Sequence, residues 1–209
     1  MKLYDCRTTP SPRRVRIFLA EKGLMLPTAQ VDLCHGEQLT PAFRTLNPWC
    51  TVPVLELDNG ATISEAIAIC HYLETVQPEP ALMGQTSAER ALILMWEHRC
   101  EIDGFLAVQE TFRNSASGLA GRAVTGAEPV AQIPALAERG RLRVVRFFQQ
   151  LEERLAESPY VGGLAYSVAD ITALVTVDFA GWLKLMLPPD CVHARSWHAD
   201  VSRRPSAAA

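Results

Sequence analysis

The sequence has no apolar run approaching the ~18 residues that a membrane-spanning helix needs. It has no dense run of Lys or Arg either, and its net charge is -3, so nothing electrostatic recommends a nucleic acid as partner. The six cysteines (Cys6, Cys34, Cys50, Cys70, Cys100 and Cys191) stand far apart, with no Cys-x-x-Cys and no paired Cys/His spacing. That argues against a zinc site and against a disulfide scaffold, and for reduced thiols in the cytoplasm. Met1-Lys2-Leu3-Tyr4-Asp5-Cys6-Arg7 is charged at once and lacks an apolar core, so no export signal is expected. His35, His71, His98, His193 and His198 show no metal or triad spacing, and no metal is expected. What is present is 209 residues, 48% hydrophobic, enough for one sizeable core or two small ones.

The local signals come in a definite order. Leu3-Tyr4 reads as a strand, broken by Thr8-Thr9-Pro10-Ser11-Pro12. Ser11 before Pro12 predicts a helix N-cap, Val15, Phe18 and Leu19 share one helix face, and Gly23 marks the stop. Thr28 to Leu33 reads as a second strand and Pro41 to Leu46 as a short helix. Asp58-Asn59-Gly60 between two apolar runs predicts a hairpin. Ile69, Tyr72, Leu73 and Val76 then keep helical spacing, completing β-α-β-α-β-β-α. Gln77-Pro78-Glu79-Pro80 breaks the pattern, and after it no strand stands out. Thr86 and Glu89 form a capping box before a long helix running through Trp96 to about Phe112. Asn114 to Ile133 is Gly-, Ala- and Ser-rich and reads as an irregular connection. Val144, Phe148, Leu151 and Leu155 mark an amphipathic helix. Ser167-Val168-Ala169-Asp170 is a second capping box, opening a helix apolar enough to be central, and Ser196 to Val201 is a last short helix. On the long helix, Glu97, Glu101 and Asp103 read as a solvated or partner-facing stripe.

Four segments in this order resemble the cytosolic glutathione transferase superfamily, nearest the bacterial theta, zeta and nu types. They are Pro10 to Gly23, Asn47-Pro48-Trp49-Cys50-Thr51-Val52-Pro53-Val54-Leu55, Ile63 to Glu74, and Ser167-Val168-Ala169-Asp170-Ile171. The resemblance implies an α/β thioredoxin-like N-terminal domain (1–77), a linker (78–85) and an all-α C-terminal helical bundle (86–209). It also implies a homodimer, with glutathione as co-substrate and a small hydrophobic electrophile as second substrate.

Glutathione chemistry explains why such residues would be needed. A thiol of pKa ~8.5 is only about 3% thiolate at pH 7. Lowering that pKa by ~2 units takes roughly 2.7 kcal/mol of preferential stabilisation. One hydroxyl donor, at ~1.5–3 kcal/mol to a charged group, suffices in principle. By resemblance the activating hydroxyl falls on Thr9, with Ser11 a second position near the sulfur; Thr9 is preferred, because a capping Ser11 would be occupied with backbone donors. The Val52 backbone, before a cis Pro53, would pair with the cysteinyl backbone of glutathione like an added strand. Glu65 would meet the γ-glutamyl ammonium. Ala66 stands where the family usually has Ser, losing one hydrogen bond to the γ-glutamyl carboxylate, and Ser64 is a candidate N-cap for the helix that follows. Gln38 would meet the glycyl carboxylate, its alternative being a solvated loop side chain, and Thr51 completes the set. Cys50 stands where Gly is common. Asp170 is implied to be a folding element. Phe105, Gln109 and Phe112 would line the second-substrate pocket.

Three functions remain open at this level: conjugation of glutathione to an electrophile, glutathione-dependent disulfide or peroxide reduction, and non-catalytic glutathione-transferase-like binding.

Overall fold

Leu3 and Asp5 are buried while Lys2 is exposed, the period-2 signature of strand β1 (Lys2–Asp5). After β1 come α1 (Pro10–Glu21), β2 (Thr28–Gln30), α2 (Pro41–Leu46), β3 (Val54–Glu56), β4 (Thr62–Ser64) and α3 (Ala66–Val76). The computed structural model describes residues 1–209 and divides into two units. The first holds these elements, comprising Met1–Pro80 with Val124–Pro129 and Ala209. The second comprises Ala81–Ala123 and Val130–Ala208.

The sheet of the first unit runs β2-β1-β3-β4. β1 is parallel to β2 and antiparallel to β3, and β4 is antiparallel to β3. This is a mixed sheet, as the order of elements predicts, in the thioredoxin-like fold that the resemblance implies. The Asn-Gly turn closes the β3–β4 hairpin: the Leu57 amide donates to the Ala61 carbonyl at 2.8 Å, and Gly60 takes the positive φ of 83° that the turn requires. Leu3, Val54 and Leu55 from the sheet are buried, as are Val15 and Phe18 from α1 and Ile69 and Leu73 from α3. Fully burying each such side chain contributes ~1.5–3 kcal/mol. At the end of α1 the buried Lys22 ammonium reaches Glu74 Oε2 at 2.5 Å and the carbonyls of Pro78 and Pro80 at 3.0 and 2.5 Å. The Pro78–Pro80 segment is therefore fastened to this unit.

The start of α1 differs from the sequence expectation. Thr9 is the N-cap and Pro10 the first helical residue, so Ser11 lies inside the first turn and caps nothing. Either proline of Pro10-Ser11-Pro12 is tolerated there, because amides of a first helical turn have no intrahelical acceptor, and the helix begins at the earlier one. Ser64 is not the cap of α3 either; Glu65 is.

In the second unit, α4 (Ser87–Arg99) and α5 (Leu106–Ser115) form one run, wound into wider π turns over Cys100–Phe105. The run is followed by α6 (Pro134–Glu157), α7 (Val168–Trp182) and α8 (Val192–Ser202). The connection from Asn114 to Ile133 carries only the turn Ser117–Leu119 and a single bridge between Arg122 and Val130. Glu97 departs from expectation: it is buried, not part of a solvated stripe, and accepts the Thr172 hydroxyl at 3.3 Å. It follows Ile93 and precedes Cys100 on the buried side of the helix.

α5 and α6 pack closely because Gly140 has no side chain. A Cβ there would lie 2.9 Å from the Ala107 carbonyl oxygen and closer still to Thr111 Oγ1. α7 is buried from Val168 through Val177, as its all-round apolar sequence requires. Its first turn is organised by Asp170. Oδ2 accepts the Ser167 amide and hydroxyl, both at 3.0 Å, and Oδ1 accepts the Val161 amide at 2.8 Å and the Trp197 indole N–H at 3.0 Å. Burial pushes this carboxyl up to about 6, against the pull of those four hydrogen bonds.

Gly140→Ala gains up to ~1 kcal/mol of helix propensity but forces α5 and α6 apart, at ~1–3 kcal/mol or more. The net expected outcome is a lower urea midpoint with an unchanged slope; an unchanged or raised midpoint would show that the contact yields freely. The second expectation concerns pH. The folded Asp170 carboxyl titrates above its ordinary 3.8, so the folded state holds that proton more tightly. Its contribution is present in full below pH ~4 and lost as the pH rises through 6, by up to about 3 kcal/mol. Denaturant unfolding from pH 4 to pH 8 should show this component in the native sequence and lose it in Asp170→Asn.

Candidate functional site

The strand register brings the expected site residues to one end of the sheet. Asp5, the last residue of β1, pairs with Gln30, the last of β2. Tyr4 pairs with Val54, the first residue of β3, and Val54 pairs with Ser64, the last of β4. The turn into α1, the segment after β2, the approach to β3 and the turn into α3 therefore leave the sheet together. Those four segments carry Thr9 and Ser11, Gln38, Thr51 to Pro53, and Glu65 and Ala66.

The β1–α1 turn is built on the Cys6 carbonyl. It accepts the Thr9 amide at 3.0 Å, the Thr9 hydroxyl at 2.9 Å and Arg16 Nη1 at 3.4 Å. The same Arg16 donates to the Arg7 carbonyl at 3.0 Å and to the buried Asp5 carboxylate at 2.6 Å, whose other oxygen accepts from the Gln30 side-chain Nε2 at 2.7 Å. Ser11 Oγ accepts from Arg14 Nη2 at 3.0 Å. The two hydroxyls thus differ: the Thr9 proton is committed to a carbonyl, whereas the Ser11 oxygen is an acceptor with its proton free. The sequence motifs do not mark Arg14, Arg16 or Asp5 as site residues. Arg14 lies three residues after Ser11 on a helix, a spacing that brings side chains together and was the available signal.

The approach to β3 is held by the buried Asn47, whose amide nitrogen donates to the Thr51 carbonyl and hydroxyl, both at 2.9 Å. Cys50 sits at φ 56°, which accounts for a glycine being at home in this place. The Val52–Pro53 bond is cis. Val52 buries its side chain, yet its backbone N–H and C=O bond nothing else in the chain. An unpaired strand-like amide is a ready partner for an extended peptide. Gln38 is 4% exposed, not solvated, and its Oε1 is buried without a partner.

At the head of α3, Glu65 holds φ 72°, a conformation that costs of order 1–3 kcal/mol in a residue with a side chain and that gathers at ligand clamps. Its carboxylate is exposed. The first bond of the helix is Ile69 N–H to the Glu65 carbonyl at 3.0 Å, so the amides of Ala66, Ile67 and Ala68 have no helical acceptor. Such an end attracts a carboxylate.

The residues expected for a second substrate all lie in the helical unit. Phe105 is buried, with its ring 5.7 Å from that of Phe179. Gln109 and Phe112 are half-buried. Phe112 stacks edge-on against Phe179 and against Trp182, which is 55% exposed and which no sequence motif marks.

The model of the glutathione S-transferase N-terminal domain matches residues 9–76. Glutathione S-transferase 2 of Saccharomyces cerevisiae is 35% identical over 209 residues, covering 99% of this chain and 87% of its own. The crystal structure of a glutathione S-transferase domain-containing protein from Marinobacter aquaeolei superposes with a TM-score of 0.92 at 38% identity, covering 99% of both chains. Gtt2 from Saccharomyces cerevisiae superposes with a TM-score of 0.91 at 34% identity, covering 99% of this chain and 98% of its own. On identity across the full length, shared fold and the matched N-terminal domain, the chain belongs to the glutathione S-transferase superfamily.

Proposed function

We propose that this protein conjugates the thiolate of glutathione to small hydrophobic electrophiles. The observation that carries the proposal is the unpaired Val52 backbone between two helix starts at one end of the sheet. An extended tripeptide laid along that edge would pair its cysteinyl backbone with Val52. Its γ-glutamyl carboxylate would meet the free amides of Ala66 and Ile67, and its ammonium the Glu65 carboxylate. Its glycyl carboxylate would accept from the side-chain Nε2 of the buried Gln38, and Thr51 would border the peptide. Its sulfur would come to the first turn of α1, to Thr9 and Ser11. In the reaction the sulfur lone pair forms a C–S bond to the electrophilic carbon. With an aryl halide the halide leaves with its bonding pair, giving the thioether and a halide ion.

The proposal takes a second copy of this chain as partner and the cytoplasm as its place of action. The exposed Leu92 and Met95, three residues apart on α4, support an apolar face for that partner. The exposed Trp182 beside Phe112 supports an aromatic surface for a hydrophobic substrate.

The test begins with retention on immobilised glutathione, followed by turnover with an aryl halide and with a mixed disulfide. Elution by free glutathione and thioether formation are expected. Disulfide turnover alone would turn the assignment to reduction, and no retention with no turnover would leave a binding fold without this chemistry. Ala66→Ser restores a hydroxyl for the γ-glutamyl carboxylate, worth ~1–2 kcal/mol. Calorimetry should then give a glutathione Kd about 5- to 30-fold lower. An unchanged Kd would mean that the carboxylate does not lie at the head of α3.

A further inference from the structure

The charges around Trp96 stand unpaired, although their spacing in the sequence would pair them. A cavity of about 410 Å³ opens between α6 and the run of α4 with its π turns, all within the helical unit. Small-molecule sites are commonly of this size. Trp96 borders it, with the Arg99 guanidinium 4.7 Å and the Arg154 guanidinium 4.8 Å from its ring centre. The ring thus gathers two cations into one place. Arg154 gives its Nε–H to the Val161 carbonyl at 3.0 Å, and its terminal nitrogens donate to nothing in the chain. Those of Arg99 are equally open. Asp103, Glu153 and Glu157 line the same cavity, and none of the three forms an ion pair or a side-chain hydrogen bond. On an α-helix, Arg99 and Asp103, four residues apart, would be neighbours. The wider turns that start at Cys100 take them out of that register. Glu157 lies three residues beyond Arg154 on α6, but Arg154 is drawn to Trp96 instead. Two open cations and three open anions therefore face one space, with Phe147, Leu151 and Val161 as its apolar lining. Cys100 borders the space as a neutral thiol: burial pushes its pKa well up, and Asp170, Glu97, Glu101 and Asp103 push it the same way.

We propose that this cavity binds a short peptide with free ends. The peptide carboxylate takes N–H groups of Arg99 and Arg154, and the peptide ammonium lies among Asp103, Glu153 and Glu157. A simple anion would answer the two guanidinium groups but meet the repulsion of three carboxylates. A simple cation would leave the two guanidinium groups open. A ligand that carries both signs satisfies both sets at once. The forked guanidinium–carboxylate contact is the more directional of the two and sets the orientation. The volume exceeds that of a single amino acid, and Phe147 and Leu151 offer an apolar side chain a place to pack. Binding is reversible, and no bond is made or broken.

The test is titration of the full-length protein with glycyl-leucine, followed at the indole N–H resonance of Trp96. Saturable movement is expected at millimolar concentration. N-acetylglycyl-leucine lacks the ammonium and glycyl-leucinamide lacks the carboxylate, and each should bind about tenfold more weakly than the free dipeptide. Arg99→Gln should weaken the free dipeptide about tenfold, and so should Glu153→Gln combined with Glu157→Gln. Arg195→Gln, a charge change on α8, should leave the affinity in place. Arg99, Glu153 and Glu157 are exposed, so their variants keep the fold. Absence of saturable movement at Trp96 overturns the proposal. So does a blocked dipeptide that binds as tightly as the free one, or an Arg99→Gln affinity equal to that of the native sequence. Glycyl-leucine has neither a thiol nor a γ-glutamyl group, so these results stand apart from the glutathione reading.

Discussion

The buried carboxylate of Asp5 fixes the working end of the first unit. It closes β1, pairs with Arg16 from α1 at 2.6 Å, and accepts from the side-chain Nε2 of Gln30 on β2 at 2.7 Å. Three elements are thereby tied at one point, and Arg16 continues to the carbonyls of Cys6 and Arg7. Losing one partner of such a buried pair leaves an uncompensated charge, which costs about 3–5 kcal/mol. The pair is therefore weak as a source of net stability but strong as a geometric constraint. The position of the first turn of α1, and with it Ser11 and Arg14, depends on it.

The parts of this fold that were legible in sequence are those with local causes. Asn59-Gly60 specifies its hairpin because Gly60 alone of those residues takes a positive φ freely. Thr86 with Glu89 specifies a helix start that forms as a reciprocal pair, Glu89 N–H to Thr86 Oγ1 at 3.2 Å and Thr86 N–H to Glu89 Oε2 at 3.1 Å. Pro10-Ser11-Pro12 does not specify its helix start, because it offers two acceptable first helical residues and local preference alone does not choose between them. The burial of Glu97 is settled by Thr172, 75 residues away, and no local rule sees such a partner. Its spacing from Ile93 and Cys100 was nevertheless a trace of it.

The candidate site divides along the same line. Val52-Pro53 and Glu65-Ala66 were visible as motifs, and the strand register explains how they come to share one end of the sheet. The direction of each hydroxyl proton was not visible, because it depends on which carbonyl or guanidinium stands opposite. Thr9 and Ser11 look alike in sequence; the Cys6 carbonyl and Arg14 make them different. Gln38 likewise reads as an ordinary loop residue until its side chain is seen to be buried with an unpartnered oxygen. In the helical unit, the aromatic contacts among Phe112, Phe179 and Trp182 arise between α5 and α7, which are distant in sequence.

The proposed function puts glutathione along the Val52 edge, between the starts of α1 and α3. Backbone amide resonances followed during titration of the native protein with glutathione test it most directly. Saturable shifts concentrated at Ser11, Gln38, Val52, Ala66 and Ile67 are expected, with the Val52 amide becoming protected from hydrogen exchange as it gains a partner. Saturable binding that leaves the Val52 and Ala66 amides unmoved, or no saturable shift at all, would contradict it.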